Sequence, residues 1–66
     1  MAPAVATKLV EKLIKSYEIT RAHAVQIVNI APITIEELKT ILESKASSFT
    51  EEQLLEIVDL VVKNRS

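Results

Sequence analysis

Glycine, cysteine and tryptophan are all missing from this 66-residue chain. Without glycine there is no P-loop, no dinucleotide-binding fingerprint and no glycine-rich hairpin for DNA. Without cysteine there are no disulfides and no thiolate metal site. The one histidine, His23, would have to recruit carboxylates alone to hold zinc, so it reads as an ordinary first-turn residue of a helix. Tyr17 and Phe49 are the only aromatic residues, which leaves no base-stacking platform. No apolar run approaches the roughly 18 residues of a membrane span. The start, MAPAVATKLVEKL, lacks the basic stretch and apolar core of a secretory signal. The expected location is therefore cytoplasmic, with no membrane contact.

What remains is apolar and charged. Hydrophobic residues make up 48% of the chain and the mean hydropathy is +0.25, high for so short a chain. A chain of this size buries only about 60% of its unfolded surface, and one small core rarely supplies more than about 3–5 kcal/mol. With disulfides excluded, regular helix packing or a partner has to make up the difference. The net charge of −1 is unevenly spread. Residues 1–30 carry Lys8, Lys12, Lys15 and Arg21 against Glu11 and Glu18. Residues 31–66 carry Lys39, Lys45, Lys63 and Arg65 against Glu36, Glu37, Glu43, Glu51, Glu52, Glu56 and Asp59. That is a weak dipole and not the basic patch that phosphate neutralisation requires.

Apolar spacing predicts four helices and a single domain spanning residues 1–66. Ala6, Leu9, Val10, Leu13, Ile14 and Tyr17 form one stripe of a first helix, from about Pro3 to Tyr17. A second, from about Arg21 to Ile30 with Thr20 as its cap, carries Ala24, Ile27, Val28 and Ala31. Val25 and Ile30 make it apolar nearly all round, so it is expected to be the buried one. Pro32 ends it. A third helix shows Ile35, Leu38, Ile41 and Leu42, and a fourth Leu54, Ile57, Val58 and Val61. Between them SKASS, residues 44–48, reads as a loop.

Two near-copies of one signal, PITIEELKTIL and FTEEQL, mark the last two helix starts. Thr34 with Glu37, and Thr50 with Gln53, have capping-box spacing. In that box the threonine hydroxyl accepts an amide, and the acidic or amide side chain reaches back to the threonine N–H. Ile33 with Leu38, and Phe49 with Leu54, are placed as hydrophobic staples. The paired carboxylates Glu36, Glu37, Glu51 and Glu52 fall in first turns, where negative charge meets the positive end of the helix dipole. Ser16, Ser44, Ser47, Ser48 and Ser66 have no base at triad-like positions. No catalytic set, metal site or cofactor is expected, and the chain is not read as an enzyme. Val10, Tyr17, Leu55 and Val62 are the candidates for a partner interface, with completion of the core as the alternative that periodicity leaves open.

From Ala22 onward, AVQIVNIAPITIEELKTILESKASSFTEEQLLEIVDLVVKN resembles the C-terminal half of the archaeal F-type RNA polymerase subunit, the counterpart of the fourth subunit of eukaryotic RNA polymerase II. The residues that carry the resemblance are Ala24, Ile27, Ile30 and Pro32, then Thr34, Glu37, Leu38 and Ile41, then Glu51, Glu52, Ile57, Val58, Val61 and Lys63. KLVEKLIKS looks like the preceding family helix. The resemblance implies an all-α bundle similar to the helicase-and-RNase-D C-terminal domain. It implies a non-catalytic role in transcription, pairing with the E-type RNA polymerase subunit in the stalk on the polymerase core. Most RNA contact would then be made by that E-type partner. Family members carry a further N-terminal stretch that packs on the E-type partner, so a cut piece or a shortened homologue is expected. The alternative is a small nucleic-acid-binding helical domain of the helicase-associated type. Clustering of Lys8, Lys12, Lys15 and Arg21 on one exposed face would favour it. An isolated designed bundle ranks last, because helix-ending glycines are absent.

Overall fold

Pro3 stands at the first position of helix α1 (Pro3–Tyr17), where its missing N–H has no intrahelical partner to lose. Thr20 opens α2 (Arg21–Ile30), its hydroxyl accepting from the His23 amide at 3.3 Å. Thr34 opens α3 (Ile35–Leu42) and accepts from Glu37 N at 3.1 Å. Thr50 precedes α4 (Glu51–Asn64) and accepts from Gln53 N at 3.1 Å. The computed structural model describes residues 2–64. Met1, Arg65 and Ser66 lie outside it, and with them the charge counted at Arg65 and the serine considered at the C-terminus. Among the described residues the fold is all-α, with no strand.

The four helices close on one another: α1 packs on α2 and α4, and α3 packs on the same two. Their inner stripes meet in one apolar cluster. It is built from Leu9, Val10 and Leu13, from Ala24, Ile27 and Val28, from Leu38, Ile41 and Leu42, and from Leu54, Ile57 and Val61. Each large side chain of this kind contributes about 1.5–3 kcal/mol when fully buried, and eight of the cluster's residues are at most 2% exposed. Two further buried residues lie outside the helical stripes. Ile19 is drawn inward by the turn after α1, where Ile19 N donates to Leu13 O at 3.4 Å. Pro32, which sequence marks only as a helix stop, is fully buried.

Several expectations are corrected. Helix α2 is not enclosed: Ile30 is 58% exposed and Val25 is exposed too, because α2 packs on α1 and α3 and its remaining face is uncovered. The SKASS stretch is no loop but lies in a 3₁₀ helix, Glu43–Ser48. Ser47 Oγ donates to Ser44 O at 2.9 Å, and Ala46 packs against the core, which holds the tight winding in place. The first capping box is displaced by one residue. Glu37 Oε1 accepts from Ile33 N at 3.4 Å and from the Thr34 hydroxyl at 3.2 Å, rather than from Thr34 N. A carboxylate only accepts, so it draws in the hydroxyl proton and settles over the preceding amide. At the second start Gln53 completes the expected box, accepting from Thr50 N at 2.9 Å.

Helix ends are where the missing glycine shows. Glu18 (φ 55°), Ala31 (φ 53°) and Glu43 (φ 56°) all adopt positive φ. A non-glycine residue there costs about 1–2 kcal/mol. Buried neighbours hold these turns: Ile19 and Pro32 follow the first two directly, and the core residue Leu42 precedes Glu43.

Candidate docking surface

Helix α4 turns by about 100° per residue, so its inner stripe of Leu54, Ile57 and Val61 leaves a second apolar row behind it. Leu55 and Val62 stand in that row, 59% and 43% exposed. Opposite them, the extended segment between α2 and α3 brings up Ile33, which is 53% exposed. Ile33, Thr34 and Ile35 on one wall, with Leu55, Val58, Asp59 and Val62 on the other, line an open groove. A shallow depression continues along α4 past Glu52, Leu55, Glu56 and Asp59. Monomeric domains normally keep such apolar patches small, and a contiguous one marks a contact surface.

The four candidate interface residues separate. Leu55 and Val62 both line the groove. Val10 does not reach the surface: it is 8% exposed and belongs to the core, because α1 lies against both α2 and α4 and they cover the middle of its stripe. Tyr17 packs half-buried on the core, and its hydroxyl donates to Glu56 Oε1 at 2.9 Å, tying the last turn of α1 to α4. Partial burial, then the hydrogen bond and the negative charge of Glu56, raise the Tyr17 pKa above its usual 10.0, so the phenol stays protonated. The other apolar groove residues are Ile33, read from sequence as a staple, and Ile35 and Val58, which pack against the core as their inner-face places predict and also reach the groove. The available signal was Ile33 itself, an apolar residue between Pro32 and the cap Thr34, outside any helix that could cover it.

Charge around the groove is mostly acidic. Asp59 lines the groove itself, and Glu52 and Glu56 line the depression that adjoins it along α4. Lys63 Nζ lies 3.1 Å from Asp59 Oδ2, an exposed pair of small energetic consequence. Lys8 and Lys12 sit on the other side of α4, lining a cleft with Val5, Leu9, Leu60 and Asn64. His23 Nδ1 lies 3.1 Å from the Thr20 hydroxyl. Among the described residues no three His, Cys, Asp or Glu side chains gather as a metal site would require, and no helix is long and apolar enough to cross a membrane.

A closed four-helix core thus leaves an open apolar groove on its surface. The kind of protein follows from family comparison: the model of the RNA polymerase Rpb4 family matches residues 2–65, and the chain belongs to that family. Rpb4-type proteins are non-catalytic members of the RNA polymerase stalk, associated with the polymerase core and a partner subunit. No curated protein and no solved structure matches the chain.

Proposed function

We propose that this chain is the helical domain of an archaeal F-type polymerase subunit, one folding unit that acts in the cytoplasm and pairs with its E-type stalk partner through the α4 groove. The observation that carries this reading is the groove: Ile33, Leu55 and Val62 are large, apolar and exposed on two facing walls. Covering such side chains removes apolar surface from water, worth about 25 cal/mol per Å². We include the helicase-and-RNase-D C-terminal type of bundle in the proposal, on the sequence resemblance alone. The scaffold role of Thr34, Glu37, Thr50 and Gln53 follows, since their hydrogen bonds are local to the two helix starts.

Heteronuclear NMR of the labelled chain titrated with the archaeal E-type stalk protein tests this directly. Saturable shifts centred on Ile33, Leu55 and Val62 are expected. Shifts confined to α1, or none at high concentration, would overturn the assignment of the groove.

A second reading has one observation in its favour. Lys8, Lys12 and Lys15 are all exposed on the outer side of α1, at spacings that place them on one face. This row could touch RNA weakly while the groove holds a protein. Three phosphate contacts correspond to a slope of log K on log salt of about −2 for a single strand. A titration that gives no salt-dependent binding sinks this reading.

A further inference from the structure

The groove carries one dominant sign of charge, arranged in register with its apolar residues. Glu52, Leu55, Asp59 and Val62 follow one another along α4 at helical spacing, so a single row alternates carboxylate and apolar side chain. Glu56 stands beside Leu55. The Glu37 carboxylate is taken up at the start of α3, by the Ile33 amide and the Thr34 hydroxyl. The cation seen bonded to this row is Lys63, on Asp59.

We propose that the groove takes a basic amphipathic segment of a partner protein. Its apolar side chains seat on Ile33, Leu55 and Val62, and its Lys or Arg side chains face Glu52 and Asp59, Glu56 being engaged by the Tyr17 hydroxyl. This rests on the reading of the α4 face as a partner interface and adds the chemistry of what binds there. Leu55 and Val62 are two turns apart, about 10 Å along the axis, which matches the i and i+7 anchors of a helix laid in a groove.

Charge selects this occupant over the others. Two copies of this chain meeting groove to groove would bring together two faces that each carry more carboxylates than cations, Glu52 and Asp59 against Lys63. The outer face of α1 offers lysines, but no large exposed apolar side chain among the described residues, so a second copy's α1 would leave the groove unfilled. Phosphates would be repelled.

The test uses the labelled full chain and two short helical peptides with identical leucine positions, one flanked by lysines and the other by glutamates. The lysine peptide is expected to give saturable shifts at Ile33, Leu55 and Val62, and the glutamate peptide none. The Glu52→Gln/Asp59→Asn double variant should keep its helical melting curve and bind the lysine peptide about tenfold more weakly, and high salt should do the same to the original chain. Equal shifts from both peptides, lysine-peptide shifts outside the groove, or a concentration-dependent dimer that protects the groove would overturn the proposal. The E-type stalk protein separates the two levels. If it binds the groove equally well in original and double variant, the basic-segment inference fails and the stalk pairing stands. If it does not bind but the lysine peptide does, the reverse holds.

Discussion

Leu54 and Leu55 are neighbours with the same side chain, and so are Val61 and Val62. The first of each pair is buried, at 2% and 0% exposure, while the second is exposed at 59% and 43%. α4 therefore has two apolar faces with different destinations. One is covered by α1 and α3, and the other lines a groove with Ile33. Apolar content in a small domain is thus not all committed to its core. Part of it is held at the surface, where it costs little in the free chain and gains only when something covers it.

The contrast between the two faces can be broken most sharply at the leucines. Leu54→Ala should lower stability by about 2–5 kcal/mol, the usual cost of an emptied core site. Leu55→Ala should change it by no more than about 0.5 kcal/mol while weakening partner binding. Denaturant melts of the two variants check this, and equal losses would dissolve the distinction. The valines repeat the test on a smaller scale. Val61→Ala removes two buried carbons and should cost about 1.5 kcal/mol or more, whereas Val62→Ala should be close to neutral in the same melts.

Thr50→Ala acts on both faces at once, since it loosens the start of α4. It should cost about 1 kcal/mol, and Thr34→Ala a similar amount. Hydrogen exchange should show the loss concentrated in the first turn of the affected helix. Away from α4, Glu43→Gly relieves a positive-φ glutamate with ψ −129°. It should raise the denaturation midpoint slightly, by about 0.5–1 kcal/mol in stability, after the added freedom of the unfolded chain is counted.

The smallest effect sits where the last turn of α1 is tied to α4. Tyr17 has its pKa raised in the folded state, mainly by partial burial and then by Glu56. The folded form holds that proton more tightly than the unfolded form, so this contribution is complete below pH 10.0 and is lost as pH rises through the higher folded value. Tyr17→Phe should remove that alkaline slope. Stability profiles of the two chains with the same slope would show that the Tyr17–Glu56 bond does not form in solution.

Much of the fold was legible. The stripes on α1, α3 and α4 lie where periodicity puts them, and the three threonine caps form. The exposure of Leu55 and Val62 was legible as well, since they stand off the inner stripe of their own helix. Val10 was not distinguishable from them, because its coverage depends on two other helices. The groove position of Ile33 was not legible, because the staple rule describes its own helix start and says nothing of the α4 face that comes to lie opposite.

Periodicity and caps are set within a turn or two of chain, by the 3.6-residue repeat and by side-chain oxygens within reach of nearby amides. The four helices, their starts and their inward residues therefore follow from the order of amino acids. Which of the remaining apolar residues are covered was settled by packing. An apolar stripe is often wider than the strip a neighbouring helix can touch, and the crossing of α1 over α2 and α4 chose Val10 for the interior and left Leu55 outside. The same packing carried Ile19 and Pro32 inward and held Glu18, Ala31 and Glu43 at positive φ without glycine. It also set Ile33 across from α4, making a groove that no single helix contains.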